Sequence, residues 1–540
     1  MQKSAPGRSI LLVKMRLWVR VSSMNASKKK ISNGMMTCMG LLIPLFSGLT
    51  SCSSLSKTAD AKDSGATGIT SQPKLTGTAS SILPLVSGTD AFVARMAFAV
   101  KAQRSLDLQY YIWHNDQTGK LLAGAVVQAA ERGVKVRLLL DDMGTAAEDR
   151  TLLILDSHPN IEVRLFNPIS LRSARLFGTL LDFKRINRRM HNKSLIADDR
   201  VCIVGGRNIG DEYFGAAEAM NFADFDVAAK GPVVREVTAS FDQYWNCPTA
   251  VPIIRVSKEQ VSEVDLHEGM KTLLAHRETM QQSSYAKALR TSKLMTTPLA
   301  EIPKLSGFAM VVADDPEKVS ARPEDVSTHL APKLSGVVGN TKKELLLVSP
   351  YFIPGKDGVH WFEVLRQRGV NVKVITNSLG STDVAAVHAG YTPYREALLK
   401  AGVEIHEMKA SPELLAVKRE SSGSSFSITG SSKAGLHAKT FVFDRRWVFV
   451  GSMNLDPRSI KLNTEIGLII ECPELAEEMI ERMEAHLNER AYHVTSTPDG
   501  LRWTTQENGK TVTEKSEPGR DFKKKLIWRI CKLLPIEGQL

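Results

Sequence analysis

One eighteen-residue pattern occurs twice in this chain, and it constrains the fold more than any other feature. His191–Asn208 reads HNKSLIADDRVCIVGGRN and His437–Asn454 reads HAKTFVFDRRWVFVGSMN. In each, Lys follows His by two positions, Asp follows Lys by five, Gly follows Asp by seven and Asn follows Gly by three. A single H-x-K-x4-D arises by accident in roughly one chain in twenty-five. Recurrence of all five residues at the same intervals makes accident negligible and implies an internal duplication.

The spacing predicts two strands joined by a turn. Lys193–Ala197 and Val201–Val204 flank Asp198-Asp199, as Thr440–Phe443 and Trp447–Val450 flank Asp444-Arg445. Alternation puts His and Lys on one face of a strand. Gly205-Gly206 and Gly451-Ser452 then let the backbone bring Asn208 or Asn454 back to the same place. Imidazole, ammonium and amide together make a half-site for a phosphate. Two facing half-sites would put one imidazole in position to attack phosphorus and the other to protonate the leaving oxygen. The lysines and asparagines would stabilise the non-bridging oxygens. A zinc site is disfavoured, because an ammonium stands where a cation would bind.

These blocks resemble the phospholipase D superfamily, in which two HKD blocks form one site and the reaction passes through a phosphohistidine. Val348–Gly355 (VSPYFIPG), Asn377–Asp383 (NSLGSTD) with His388 and Tyr391, and Leu534–Glu537 (LPIE) are most similar to the cardiolipin synthase C branch of bacterial phosphatidyltransferases. The resemblance covers about residues 81–540. It implies catalytic roles for His191, Lys193, Asp198, His437, Lys439 and Asp444, and phosphate contacts from Asn208 and Asn454. It implies no metal and no cofactor. It also implies an acid downstream of each block that orients that block's histidine: Asp224 in the first half, with Asp226 as a rival, and Glu465 in the second. Asp198 and Asp444 serve equally well as turn carboxylates bonding backbone amides. The other histidines read as ordinary core or surface residues. His388 lines the pocket only through the branch resemblance.

The net charge of +12 suits anionic partners, whether nucleic acid, anionic headgroups or a phosphate-rich surface. Six cysteines form no disulfide framework. From Met24, Lys28–Lys30 and the apolar Met35–Leu49 read as a signal ending in Leu49-Thr50-Ser51-Cys52, which resembles a bacterial lipobox with Cys52 acylated. A short uncleaved anchor is the alternative. Either leader predicts a bacterial cell-envelope location, with a membrane-anchored lipoprotein facing the periplasm as the first reading.

The expected organisation is a leader (1–52), a tether (53–81), a first unit (82–250), a connector (251–330), a second unit (331–490) and a C-terminal extension (491–540). Asp90 reads as a helix cap. Strands at Ser105–Trp113, Val134–Leu140 and Ile161–Phe166, alternating with helices, predict βαβ units and a mostly parallel sheet. Leu345–Ser349, Val370–Thr376 and Val403–Glu407 repeat that order. The fold class is therefore α/β, a duplication of two phospholipase D-like α-β-α units around one shared site. Asp141-Asp142 follows a strand and reads as a turn cap, with a ligand contact as the alternative. Asn508-Gly509 predicts a hairpin. Leu171–Met190 is basic and apolar, and the tail Phe522–Leu534 (FKKKLIWRICKLL) is basic and amphipathic; both suit an anionic membrane surface, with packing on the body as the alternative.

The expected partners are phospholipids, phosphatidylglycerol and in addition phosphatidylethanolamine, with no nucleic acid. The expected reaction is phosphatidyl transfer that makes cardiolipin. A hydrolytic phospholipase D, a nuclease-type phosphodiesterase and a non-catalytic scaffold are the other classes.

Overall fold

The computed structural model describes residues 78–145, 149–169, 182–217, 220–280, 282–298, 301–302, 304–410, 433–519, 522–533 and 537–540. The leader with Cys52, most of the tether, much of the Leu171–Met190 stretch and part of LPIE lie outside them.

The first half lays down β1 (Ser80–Leu85), β2 (Ser105–Tyr110), β3 (Lys135–Asp141), β4 (Ile161–Phe166), β5 (Ser194–Ala197), β6 (Val201–Gly205), β7 (Met220–Ala223), β8 (Asp226–Lys230) and β9 (Ala250–Pro252). The second half follows with β10 (Leu305–Ala313), β11 (Glu344–Val348), β12 (Asn371–Asn377), β13 (Glu404–Met408), β14 (Lys433–Leu436), β15 (Thr440–Phe443), β16 (Trp447–Gly451) and β17 (Ile466–Glu471). It ends in β18 (Ala491–Thr497), β19 (Gly500–Glu507) and β20 (Lys510–Glu514).

The first sheet runs β1-β8-β6-β5-β2-β3-β4-β9. The second runs β10-β17-β16-β15-β11-β12-β13-β18-β19-β20. The two orders match strand for strand through β9 and β18. β1 and β10 pair with each other, Ser80 opposite Gly307, and fuse the sheets edge to edge. The second sheet thus begins inside the segment read as a connector, and it continues into the C-terminal extension.

Each sheet is mixed, not mostly parallel. In the first, only β2–β3 and β3–β4 are parallel. The reason lies in the duplicated block, since strands joined by a tight turn must be antiparallel. β5 and β6 meet at a turn with left-handed backbone at Asp198 and Asp199 (φ 57° and 54°), and β15 and β16 meet at Asp444 and Arg445 (φ 55° and 49°). Positive φ at both central residues gives the twist that a hairpin needs. Asn508 and Gly509 repeat the device between β19 and β20.

Every residue of β5 and β15 is buried, as expected of strands covered on both faces. Helices Gly88–Lys101 and Gln117–Glu131 cover one face of the first sheet. Helices Leu330–Val338 and Gly355–Gln367 do the same for the second. A third core lies between the halves, where Val204, Val237 and Phe241 share one cluster with Val450, Ile466, Leu475 and Met479. Full burial of each such side chain is worth about 1.5–3 kcal/mol. The helix read as starting on Asp90 is capped instead by Ser87, whose hydroxyl accepts from the Asp90 amide. Among the described residues, Cys202, Cys247, Cys472 and Cys531 are free thiols. Among the same residues, no helix is long and apolar enough to cross a membrane.

Candidate active site

The stretch leading into each histidine is pinned to the opposite half. The His191 amide donates to the Thr464 carbonyl at 2.8 Å, and the His437 amide donates to the Ala223 carbonyl at 2.8 Å. β14, which leads into His437, runs parallel to β7, which leads into Asp224. Met190 and Thr464 form the corresponding bridge on the other side.

This exchange sets the acid pairing. His191 Nδ1 lies 2.9 Å from Glu465 Oε2, and His437 Nδ1 lies 2.6 Å from Asp224 Oδ2. Each carboxylate therefore serves the histidine of the other half, which corrects the own-half pairing expected from sequence. The physical reason is the register. Asp224 and Glu465 sit at equivalent positions beside Gly206 and Ser452, directly after the carbonyls that capture the opposite histidines. Asp226, the rival, instead binds Arg95 and Arg207 in a buried ion-pair cluster.

Lys193 and Lys439 are almost fully buried, and each ammonium donates to the carbonyl of its own histidine, His191 or His437. Lys439 Nζ also lies 3.1 Å from His437 Nδ1. Burial pushes both lysines below the usual ammonium value, Lys193 far below it. Asp224 and Glu465 act against that shift at both lysines, so the two blocks share one electrostatic site. Asn208 gives one amide N–H to the Tyr213 hydroxyl at 2.9 Å and accepts from the Ile112 amide. Asn454 is buried, and its Oδ1 has no partner among the described residues.

Burial lowers both imidazoles, with added repulsion from Lys193, Lys439 and His437 at His191, which falls well below the usual range. At His437 the Lys439 charge lowers further, while Asp224 opposes the drop. The two acids diverge. Burial raises Glu465 to about 7, with Lys193 and the Ser452 hydroxyl pulling the other way. Burial also works against Asp224, but His437, Lys439 and Arg207 hold it well below the usual carboxylate range.

Asp198 and Asp444 do not join this group, which corrects the catalytic role assigned to them. Asp198 accepts from the backbone amides of Gln103, Arg104 and Ser105, and Asp444 from those of Lys342, Lys343 and Glu344. A carboxylate at the tip of a hairpin points away from the strand end that carries His and Lys, so it ties the turn to the segment before β2 or β11. Asp141 and Asp142 are structural too. Asp141 binds Arg189 and the Met190 amide, and Asp142 accepts from the Ile169 amide.

Several site residues carried no sequence signal of their own. The Tyr111 ring lies 5.1 Å from His191, and the Tyr213 and Phe222 rings lie 5.2 Å and 5.0 Å from His437. Asp383 accepts from the Tyr351 hydroxyl at 2.8 Å, and its charge acts on His437 and Lys439. Asp383 lies in the NSLGSTD stretch, a visible feature whose role was not. His388 lines a small cavity with Phe352, Asn377 and Tyr391, and is engaged by Glu517 at 2.6 Å and by Arg395. Among the described residues, three groups of His and carboxylate could hold a metal ion by spacing: His114/Asp116/Glu212, His388/Glu407/Glu517 and Glu404/His406/His493. None includes a residue of the duplicated blocks, whose two ammonium groups repel a cation.

A family model described as "Cardiolipin synthase, PLD-like domain" matches residues 97–245 and 335–487. The chain is 40% identical over 461 residues to cardiolipin synthase C of Escherichia coli, spanning 85% of this chain and 96% of that protein. It is 27% identical to cardiolipin synthase B of Salmonella typhi, over 72% of this chain and 75% of the relative. Among solved structures, phosphatidylserine synthase of Haemophilus influenzae matches with a TM-score of 0.53 and 15% identity, covering 85% of this chain and 95% of that one.

Proposed function

The chain belongs to the phospholipase D-like cardiolipin synthase family, and from that premise we propose that it is a phosphatidyltransferase that makes cardiolipin. His191 Nε2 attacks the phosphorus of a donor phospholipid, forming a P–N bond as the bond to the headgroup oxygen breaks. His437 gives its Nε2 proton to that oxygen, and the headgroup alcohol leaves. The terminal hydroxyl of phosphatidylglycerol then loses its proton to His437 and attacks phosphorus, and the P–N bond breaks. Neither step consumes a cofactor.

The observation that carries this reading is the crossed pairing of the histidines with acids from opposite halves, since it makes two half-sites into one site. The charges support the order of events. A nucleophile must be unprotonated, and His191 is the imidazole held well below its usual range. An acid must gain a proton when the anionic substrate arrives, and ionised Asp224 favours that at His437. Lys193, Lys439, the second N–H of Asn208 and the amide of Asn454 would hold the phosphate oxygens.

Phospholipid substrates would bring the enzyme to a membrane. The acylated Cys52 read from sequence would tether the chain in the cell envelope, facing the periplasm. Helix Phe522–Cys531 supports a further contact with the bilayer. Phe522, Leu526, Ile527 and Ile530 are exposed among Lys524, Lys525 and Arg529.

The test incubates purified protein with phosphatidylglycerol vesicles, alone and mixed with phosphatidylethanolamine, and follows lipid products. Cardiolipin is expected. Phosphatidic acid without cardiolipin under both conditions would overturn the transferase reading and leave a hydrolytic phospholipase D.

A further inference from the structure

On the His437 side stands a carboxylate that the phosphoryl chemistry does not use. Asp383 is exposed and makes no ion pair among the described residues, where its hydrogen-bond partner is the Tyr351 hydroxyl. The loop that carries it is fixed against the strand leading into His437. Asn377 bonds both the amide and the carbonyl of Leu436, and the Ser381 hydroxyl bonds Asn377 and the Met408 carbonyl. Lys524 of helix Phe522–Cys531 donates to the carbonyls of Gly380 and Thr382.

A negative charge at the rim of a phosphodiester site repels the substrate phosphate. It is tolerable where it meets a different part of the substrate. The duplication says which part. Trp113 and Phe352 are equivalent, each bridged to the residue after the block asparagine, Ile209 and Leu455. Tyr351 therefore corresponds to Ile112, which has no hydroxyl to give. The Tyr351–Asp383 pair thus belongs to the His437 side, where the transferase reading has alcohols leave and enter. Tyr213 and Phe222 line the same side. Tyr213, Lys439 and His437 all feel the Asp383 charge.

We propose that Asp383, held by Tyr351, is the specificity residue for the entering alcohol, accepting hydrogen bonds from the additional hydroxyl of a glycerol headgroup as His437 takes the proton of the attacking one. The inference rests on the transferase reading and adds an alcohol subsite to it. A hydrogen-bonding site discriminates against an analogue that lacks the hydroxyl far better than an apolar pocket can.

The test supplies the full-length protein with mixed phosphatidylethanolamine–phosphatidylglycerol vesicles and equal concentrations of labelled glycerol and labelled 1-propanol. The readout is the ratio of labelled phosphatidylglycerol to labelled phosphatidylpropanol. Asp383→Asn and Asp383→Ala should lower the ratio about tenfold, with partial recovery in Asp383→Glu. Tyr351→Phe, which keeps the ring and loses the bond, should shift it in the same direction by less. A merely structural Asp383 would lower both products in parallel, and an unchanged ratio in all variants overturns the inference while leaving the transferase reading intact. If Asp383 variants lose both products, the Tyr351→Phe ratio decides. Wild-type protein that makes cardiolipin but neither labelled lipid overturns the inference, and protein that makes no transfer product at all overturns the transferase reading with it.

Discussion

The loop before His191 is held by Asp141, which binds the Met190 amide and the Arg189 guanidinium. The loop before His437 is held at the same register by Asn377, a neutral amide on both polar groups of Leu436. Behind His191, Glu465 receives the Ser452 hydroxyl at 2.5 Å and has Asp314 as a neighbour, which burial raises to about 7. Behind His437, Asp224 has Gly206 in the place of that serine, and a Cβ there would come within 2.3 Å of the carboxylate. Arg207 adds positive charge on this side. The backbone is duplicated while the charge is not. An acid that shares a proton leaves its imidazole neutral; an ionised acid stabilises an imidazolium. Divergence behind two equivalent rings can thus divide one reaction between a nucleophile and a proton carrier.

The largest expected effects test this division directly. His191→Ala and His437→Ala should each lower turnover of natural lipid by at least about a thousandfold. A phosphatidyl ester of p-nitrophenol separates them, because nitrophenolate leaves without a proton. On that substrate His437→Ala should recover a burst of nitrophenol and accumulate a phosphoenzyme, and His191→Ala should recover neither. The opposite result would exchange the roles. Equal recovery of both would mean that the asymmetry has no catalytic consequence.

The next effect sets stability against activity at the two acids. Asp224→Asn leaves His437 and Lys439 without their buried anion, so a loss of about 3 kcal/mol is expected near neutral pH, together with a large fall in kcat. Its folded value is depressed. Its contribution is therefore present above the ordinary aspartate range and disappears on acidification, so the gap to wild type should close as pH falls below about 4. Glu465 has the opposite sign. With its value raised to about 7, the folded chain holds a proton that the unfolded chain releases above about 4.5, and stability drains as pH rises between these values. Glu465→Gln should therefore gain in melting temperature relative to wild type from pH 5 to pH 8. Parallel pH curves for the two variants would contradict the charge asymmetry.

The duplicated blocks were legible because their information is local. His and Lys two apart on a strand, an αL-tolerant Asp at a turn and a small residue at a close approach are all fixed by covalent spacing. The exchange of acids was not legible. His191 and Glu465 meet across 274 positions, and own-half pairing satisfies the same local pattern. Equally, nothing local says that β1 pairs with β10, which turned an expected connector into part of a sheet. The parallel β2–β3–β4 strands followed from strand–helix alternation, whereas the antiparallel remainder followed from a hairpin already visible in the block. Asp383 was visible as part of a signature without a task, because a task requires knowing which histidine it faces.

The smallest expected effects come from Asp198 and Asp444, where the halves are most alike. Each carboxylate gathers three successive amides, and replacing it with alanine leaves those donors to water. Asp198→Ala should cost about 2 kcal/mol in chemical denaturation, and Asp444→Ala about 1, because the Asp444 bonds are more exposed. Asp198 also presents its own carbonyl to the Arg104 guanidinium at 2.8 Å, a tie that Asp444 lacks among the described residues. Both variants should keep kcat/KM within about threefold of wild type below their melting temperatures, since neither carboxylate bonds a histidine or lysine of the site. A hundredfold fall in kcat with unchanged stability at either position would restore that aspartate to the chemistry and would mean that the hairpin tip communicates with phosphorus through the strand.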